Sequence, residues 1–442
     1  MPLPNPVIVL PGITASELRD EYPVSPEALY TAVVNQDYDR IMLHPDDLRY
    51  ERTEPARVRA TAVFSVPYEE LILELRHNLT PQADKPVPVY PFAYDWRQPL
   101  ERIEAVLADF VQEVIDRTKL MKHYDRDGYA DNPRVNFVAH SMGGLVLSGY
   151  LATVGKKAPV GKVATLGTPF RGSYEAPLKV LTGTASLGTG ESSSREREAA
   201  RVTPGLYHLL PRFPNAVTDE KDRDVDLYSA DSWQQGVIDT LAEFIRLNSV
   251  NPPGNKSDRQ DKARKLLDKM LSQAAAHRDR IDGLKLANVG LTPKEWLCLV
   301  GVDQVTRVGL TLNRSGSTPR FDLSSDQRAN EWSGNGNRAR TGDGVVPFPG
   351  ACPQFLDPKN LVCVSPGDLG YWEVGDRVLA GSLSLHAVLP KVNLVHRLIV
   401  AHFKDLNAAK NDSLWGRRAP GIASGEWQPP IANLNNKDSE SS

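Results

Sequence analysis

The sequence has little cysteine and no long apolar run. Three cysteines in 442 residues are too few for a disulfide scaffold, and Cys298, Cys352 and Cys363 lack the spacing of a zinc site. We therefore expect a reduced, cytoplasmic setting, and a bond between Cys352 and Cys363 remains an open alternative. No run approaches the roughly 18 consecutive apolar residues of a transmembrane helix. The N-terminal segment lacks the basic residues of a signal peptide.

An excess of positive charge is also missing. Lysine and arginine number 52 against 55 aspartates and glutamates, a formal net charge of −3. Without a basic field, a nucleic-acid partner is not expected. The apolar share of 40% and charged share of 24% are ordinary for globular proteins, which excludes a disordered, collagen-like or coiled-coil chain.

Short apolar runs alternate with helical patterns along much of the chain. Continuous apolar runs of this length are typical of strands buried on both faces of a parallel sheet. Residues 100–115 repeat apolar side chains at helical spacing between two such runs. The sequence therefore predicts an α/β fold with a mostly parallel central sheet flanked by helices. The runs are Val7–Leu10, Val135–Ala139, Val163–Leu166 and Trp296–Val300.

The strongest chemical signal is the segment VAHSMGG at residues 138–144, between a predicted strand and a predicted helix. This context indicates a nucleophile elbow, a tight turn that lifts a serine hydroxyl out of the sheet. Ala139 stands where the usual pattern has its first glycine, a change of one methyl group. Ser141 is the predicted nucleophile, and the backbone N–H of Met142 would face a developing oxyanion. The alternative is a serine in an ordinary strand-to-helix turn.

A nucleophilic serine needs a base, usually a histidine, and a carboxylate that orients the base. In this type of fold the carboxylate follows the serine in the sequence, and the histidine follows the carboxylate. His386 precedes the last predicted helix, in a loop, and is the predicted base. His396 and His402 lie within that helix and are expected to pack there. Asp343 stands between two glycines in the required interval and is the predicted acid. Asp303, directly after a predicted strand, is the competing acid.

The second oxyanion donor is expected from the loop after the first strand. The segment from Leu10 to Thr14 fits, with the backbone N–H of Ile13 as the donor. Gly12 would let the chain approach the reacting carbonyl closely. A simple Pro-Gly turn is the alternative.

Six blocks of the sequence span about residues 6–405: VIVLPGITASEL, FAYDWR, VAHSMGGLV, LGTPFRGS, GDGVVP and LHAVL. Together, in identity and in order, they resemble the lecithin:cholesterol acyltransferase-like branch of the α/β-hydrolases. The resemblance implies an α/β-hydrolase core with Ser141 as nucleophile, Asp343 as acid and His386 as base. It also implies a helical cap over an acyl pocket and ester or phospholipid substrates. By analogy Trp96 would help to line the substrate site and Asp95 would tie its loop, with core packing as the alternative for Trp96.

The order of these residues sets the expected domain organisation. The nucleophile precedes the polar, helix-rich segment 171–295, while the acid and base follow it. Residues 1–170 and 296–405 are therefore predicted to form one catalytic core, with 17–60 as an irregular excursion. Segment 171–295 is the predicted helical cap or lid, with helices near 233–247 and 261–281. Residues 406–442 are expected to be a polar, mobile tail.

The sequence thus predicts a serine hydrolase that cleaves carboxylic esters, acyl lipids or related compounds, through an acyl-enzyme. No cofactor or metal is expected. An acyltransferase that passes the acyl group from a phospholipid-like donor to an alcohol is the alternative, and a non-catalytic binding protein on a hydrolase scaffold is a third interpretation. The expected partner is an acyl ester or lipid, with no integral membrane segment. Transient contact with a membrane remains an open alternative.

Overall fold

The computed structural model describes residues 3–31, 36–183, 194–316, 318–323, 342–369 and 384–437. Its strands are β1 (Val7–Leu10), β2 (Ser16–Asp20), β3 (Glu27–Tyr30), β4 (Leu43–His44), β5 (Asp47–Glu51), β6 (Val58–Val63), β7 (Val89–Pro91), β8 (Val135–His140), β9 (Val160–Leu166), β10 (Val217–Asp219), β11 (Trp296–Gly301), β12 (Leu310–Asn313), β13 (Arg320–Asp322), β14 (Val362–Val364), β15 (Trp415–Gly416) and β16 (Asn435–Asn436). Its helices are α1 (Tyr38–Ile41), α2 (Ser65–Leu79), α3 (Leu100–Lys119), α4 (Lys122–Arg126), α5 (Met142–Val154), α6 (Glu175–Thr182), α7 (Ser194–Arg201), α8 (Pro204–Tyr207), α9 (Gln235–Asn248), α10 (Lys256–Asp282), α11 (Phe348–Ala351), α12 (Leu385–Val388) and α13 (Asn393–Phe403).

A six-stranded sheet with the order β14-β11-β9-β8-β1-β7 forms the centre of the fold. Its neighbouring strands pair in parallel. Successive side chains of a strand point to opposite faces, so Ile8 and Leu10 of β1 join one apolar core while Val7 and Val9 join the other. The α/β fold with a parallel central sheet flanked by helices is therefore confirmed.

Helices cover both faces of this sheet because their apolar stripes match the two cores. Helix α3 buries Leu100, Ile103, Leu107 and Val111 at helical spacing, and packs beside α5. Helix α5 is buried from Met142 to Leu151, since the sheet, α3 and α10 surround it. On the opposite face α2 packs against α13.

The segment between β9 and β11 is largely helical in its described part. Helices α9 and α10 pack against each other there, close to the positions where the sequence predicts helices. Helix α10 begins earlier than predicted, because Asn255 caps it by accepting a hydrogen bond from the Asp258 amide. A buried polar cluster joins α10 to α3: Glu104 Oε1 lies 2.8 Å from His277 Nε2 and accepts from Arg280 at 2.7 Å.

The excursion between β1 and α2 contains the antiparallel sheet β3-β2-β6 and the hairpin β4-β5. Arg97, whose side chain is 1% exposed, holds this excursion against the loop that follows β7. Its guanidinium pairs with Glu51 of β5 at 2.9 Å and with Asp95 at 2.7 Å. It also donates to the Ile41 carbonyl at 2.9 Å.

Residues 406–437 pack against the β14 edge of the sheet, in contrast to the mobile tail that composition suggested. The backbones of Arg417 and Cys363 exchange hydrogen bonds at 3.0 and 2.8 Å, and Trp427 Nε1 donates to the Leu361 carbonyl at 2.8 Å. Leu414 and Ile431 are buried. These apolar residues are scattered among polar ones without regular helical or strand spacing, so the sequence pattern does not predict their packing.

Two features bear on the sequence expectations. In the described part of the chain no disulfide joins any of the three cysteines, and Cys298 and Cys363 are buried in adjacent strands. Across the described ranges, none of the helices combines the length and apolarity that a membrane crossing requires.

Candidate active site

Ser141 occupies the turn between β8 and α5 with a backbone φ of 52° and ψ of −128°. This is a strained conformation for a residue with a side chain, and it is the one that a nucleophile elbow imposes. The Ser141 amide donates to the Leu166 carbonyl of β9 at 2.9 Å, which helps to hold the turn. A Cβ atom at Gly143 would lie 2.6 Å from the Pro11 carbonyl oxygen, so the small residue there permits the close approach of α5 to the loop after β1.

The structure brings Ser141, His386 and Asp343 into one hydrogen-bonded line. His386 Nε2 lies 2.9 Å from Ser141 Oγ, and His386 Nδ1 lies 2.7 Å from Asp343 Oδ2. The other carboxylate oxygen of Asp343 accepts from the amides of Val345 at 3.0 Å and Val346 at 2.6 Å. A carboxylate held in this way accepts a hydrogen bond from the protonated Nδ1 of His386. The unprotonated Nε2 can then accept a hydrogen bond from the serine hydroxyl.

The loop that carries Asp343 and the short helix α12 that carries His386 are tied to each other and to the sheet. The His386 amide donates to the Asp343 carbonyl at 2.9 Å, and Gln304 accepts from the neighbouring Leu385 amide at 2.6 Å. Gly167, at the end of β9, has a φ of +52°, and a Cβ there would lie 2.9 Å from Asp343 Oδ2 and 3.0 Å from His386 Nδ1. The side chains of Asp343 and His386 thus pack directly on the backbone of Gly167.

The competing residues lie elsewhere. Asp303 follows β11 with a φ of 65°, and among the described residues it makes no hydrogen bond to His386. His396 and His402 are buried on α13, where His396 Nε2 contacts the Pro390 carbonyl at 2.7 Å and His402 Nε2 the Glu295 carbonyl at 3.2 Å. Asp343 is therefore the carboxylate that the fold brings to His386.

The two amides expected to face an oxyanion belong to segments that meet at Ser141. A Cβ built on Gly12 would lie 3.0 Å from Ser141 Cβ, so the loop carrying Ile13 passes beside the serine. Met142 is the first residue of α5. Within the described ranges, the N–H groups of Ile13 and Met142 donate no hydrogen bond. Both amides are therefore available as donors.

Two buried residues adjoin this site that the sequence did not single out. Tyr68 of α2 contacts His140 Nδ1 through its hydroxyl at 2.6 Å, and His140 Nε2 lies 3.0 Å from the His386 carbonyl oxygen. Burial, and after it the neighbouring His386, keeps the pKa of His140 well below its ordinary value. Nothing in the sequence around Tyr68 marks it, and His140 precedes Ser141, whereas the expected acid and base follow the serine.

Trp96 and Asp95 lie in the loop after β7. Trp96 is buried, donates from Nε1 to the Ser16 carbonyl at 3.3 Å, and meets Tyr30 edge-on with ring centroids 5.0 Å apart. Asp95 pairs with Arg97 through both carboxylate oxygens, at 2.8 and 2.7 Å. The loop is therefore held firmly, and the Trp96 ring packs in the core.

Comparison with known proteins found a family match over part of the chain and solved structures with a similar fold. The family model for lecithin:cholesterol acyltransferase matches residues 83–244, a range that includes the Ser141 turn. The structure of a Tle4–Tli4 complex aligns over 88% of this chain and 89% of that chain, with a TM-score of 0.52 at 12% identity. Over residues 83–244 the chain is similar to the lecithin:cholesterol acyltransferase family, and its fold is that of the α/β-hydrolases. The sequence resemblance is thereby confirmed. The family match supports an enzyme acting on lipid esters, as a hydrolase or an acyltransferase.

More distant alignments were also found. Phospholipase PlaB from Legionella pneumophila aligns over 54% of this α/β-hydrolase chain and 36% of its own, with a TM-score of 0.25 at 14% identity. Its complex with thio-NAD gives a TM-score of 0.24 at 17% identity, over 53% of this chain and 43% of that chain. No curated protein sequence matches the chain significantly.

Proposed function

We propose that the chain is a serine esterase that cleaves acyl lipids or related carboxylic esters, with Ser141 as nucleophile, His386 as base and Asp343 as acid. The observation that carries the proposal is the line of hydrogen bonds from Asp343 Oδ2 to His386 at 2.7 Å and from His386 to Ser141 Oγ at 2.9 Å. A hydroxyl is a weak nucleophile until an adjacent, oriented base can take its proton. The family match supports the lipid-ester class of substrate.

The proposed reaction begins when Ser141 Oγ attacks the acyl carbonyl and His386 Nε2 takes its proton. Asp343 accepts from Nδ1, holds that tautomer and stabilises the imidazolium, while the Val345 and Val346 amides keep the carboxylate in place. When the tetrahedral intermediate collapses, His386 returns the proton to the leaving alcohol. The acyl group is then bound to Ser141 as an ester. A water molecule, activated by His386, hydrolyses this ester and releases the acid.

The N–H groups of Ile13 and Met142 are the proposed oxyanion donors. Both are free of other partners in the described ranges and flank Ser141 from two different segments. Preorganised donors of this kind stabilise charge that develops only in the transition state. Losing one typically costs on the order of 100- to 1000-fold in turnover.

A second candidate is an acyltransferase, in which an alcohol replaces water as the acceptor. The family match favours it, and so does the enclosure of the site, since Ser141 is only 7% exposed and His386 6%. An acyl-enzyme shielded from bulk water survives until an alcohol arrives.

We further propose that residues 171–295 form the cap. Helix α8 of this segment begins against the loop after β7, where the Gly205 amide donates to the Arg97 carbonyl at 3.1 Å. This contact supports a role for the Trp96 loop in seating the cap. The Trp96 side chain itself is buried.

The central experiment replaces Ser141 with alanine and measures hydrolysis of a short p-nitrophenyl ester. Turnover should fall by more than about 1000-fold, because no nucleophile remains, while the thermal midpoint stays close to that of the wild type. Ser148→Ala is the matched control: it removes a hydroxyl from helix α5, which directly follows Ser141, and Ser148 Oγ donates to the Gly144 carbonyl at 2.8 Å. Equal activity in the two variants would contradict the assignment of Ser141. If no ester gives Ser141-dependent turnover, the non-catalytic interpretation replaces this proposal.

The acid is tested by comparing Asp343→Asn with Asp303→Asn. The first should lose on the order of 10,000-fold in turnover, because an amide favours the wrong imidazole tautomer, and the second should stay near the wild type. A loss confined to Asp303→Asn would overturn the choice of acid. A series of acyl chain lengths, with and without an added alcohol, distinguishes hydrolysis from acyl transfer through the ratio of free acid to new ester.

A further inference from the structure

A chain of hydrogen bonds runs beneath the candidate active site, from the oxyanion loop to the base. The Gly12 amide donates to Tyr68 Oη at 2.8 Å, and Tyr68 Oη lies 2.6 Å from His140 Nδ1. The opposite ring nitrogen of His140 lies 3.0 Å from the His386 carbonyl oxygen. The chain therefore begins one residue before the proposed oxyanion donor and ends on the backbone of the proposed base.

The direction of each hydrogen bond in this chain follows from the His386 carbonyl. A carbonyl oxygen can only accept, so His140 Nε2 carries a proton and donates to it. Burial keeps the pKa of His140 well below its ordinary value, so the ring is neutral and its unprotonated Nδ1 accepts from the Tyr68 hydroxyl, which in turn accepts from the Gly12 amide. An imidazolium at His140 would present a second donor to the Tyr68 hydroxyl and would break this order.

The surroundings of the chain keep it dry and fixed. Tyr68 is 1% exposed and His140 6%, and their rings meet edge-on with centroids 5.8 Å apart. The His140 ring also lies against the His386 ring, at a centroid distance of 4.9 Å. Four segments that are distant in sequence are thus joined: the loop after β1, helix α2, the end of β8 and helix α12.

We propose that Tyr68 and His140 are positioning residues of the esterase site, which fix the oxyanion loop and the base relative to each other. This inference rests on the proposed function. Tyr68 anchors the loop through Gly12, so the Ile13 amide stays aimed at the oxyanion. His140 anchors the backbone of His386, so the imidazole stays aligned between Ser141 and Asp343. Neither side chain has to touch the substrate.

A link of this kind acts on the transition state and leaves ground-state binding almost unchanged. Displacing an oxyanion donor costs less than removing it, so Tyr68→Phe should lower kcat by about 10- to 100-fold with KM within about threefold of the wild type. His140→Gln should lower kcat to a similar extent, because it removes the Nδ1 acceptor. Since both act through one chain, the double variant should be at most about twofold slower than the slower single variant.

The matched control is Tyr124→Phe, which also removes a buried tyrosine hydroxyl bonded to backbone, here the Pro4 carbonyl at 2.6 Å. It lies outside the site and should leave kcat unchanged. Each kcat is divided by the fraction of protein that a fluorophosphonate probe labels to completion at serine, so that loss of folded protein is not counted as loss of rate.

The outcomes separate the two proposals. If Tyr68→Phe matches Tyr124→Phe in kcat per labelled site, the positioning role is overturned while the esterase proposal stands. Losses that multiply in the double variant would also overturn it, because they would mean two independent effects. If the wild type is neither labelled nor active, the proposed function itself fails.

Discussion

Gly167→Ala is the substitution that tests most directly how the fold assembles the acid–base pair. Gly167 has a φ of +52°, and an added Cβ would lie 2.9 Å from Asp343 Oδ2 and 3.0 Å from His386 Nδ1. Ordinary van der Waals contact begins near 3.4 Å, so these two atoms are about half an ångström too close. They are the two atoms of the 2.7 Å hydrogen bond that orients the imidazole.

The expected cost has two separable parts. A left-handed backbone conformation with a side chain costs roughly 1–2 kcal/mol of folding free energy. Displacing the pair costs catalysis. Complete loss of the acid's function is worth about 10,000-fold, and a misplacement of about 1 Å about 100-fold. We therefore expect turnover to fall by about 100-fold, which is about 2.7 kcal/mol of activation free energy.

Gly290→Ala isolates the backbone part. Gly290 has a φ of +75°, and no atom lies within 4 Å of the Cβ that it would gain. Both variants should lose similar stability in urea unfolding, and only Gly167→Ala should lose p-nitrophenyl ester turnover. A turnover for Gly167→Ala within about threefold of that for Gly290→Ala would refute the reasoning.

Three further predictions concern stability in urea unfolding. Burial lowers the pKa of His402 to about 4, so the unfolded chain binds a proton at this residue below pH 6.5 and the folded chain does not. His402 alone should therefore lower the stability by up to about 3 kcal/mol as the pH drops from 6.5 to 4. His402→Gln should reduce the total fall by that amount, while other buried histidines such as His140 keep their share, and exposed His77→Gln should leave the total fall unchanged. Burial raises the pKa of Glu104 to about 7, so the contribution of this residue to the stability falls as the pH rises from 4.5 to 7, opposite in sign to that of His402. Glu104→Gln should abolish this contribution. An unchanged dependence of stability on pH in that variant would contradict the prediction. Arg97→Met should cost about 3–5 kcal/mol because it leaves Glu51 buried without its partner, and a cost below about 1 kcal/mol would disprove that role.

The parts of the fold that sequence could predict are those with a local signature. One continuous stretch contains the run Val135–Ala139, the serine turn and the apolar helix that follows. Its pattern can therefore be recognised without knowledge of the rest of the chain. Helix α10 was predicted with a late start, since its first turn is polar and only the Asn255 cap marks it. The packing of residues 406–437 had no periodic signal at all.

For the candidate site, contacts between residues that are far apart in the sequence are the part that is hardest to predict. Motif order pointed to Asp343 and His386, and their hydrogen bonds to each other and to Ser141 are as that order requires. The contact between Tyr68 and His140 joins residues 72 positions apart and depends on how α2 rotates against the sheet. Single-sequence patterns report which face of a helix is apolar, but they do not report which polar group at its edge finds a partner.

The parallel sheet also has a consequence for the order in which the chain is synthesised. Ser141 and His386 are 245 residues apart, and β8, which ends beside the serine, lies between strands that come before and after it in the chain. At translation rates of roughly 5–20 residues per second, the base leaves the ribosome roughly 12–50 s after the nucleophile. Under the proposed mechanism, a nascent chain therefore carries Ser141 without the base that would activate it, and the proposed esterase activity would begin only once the late segments have joined the sheet.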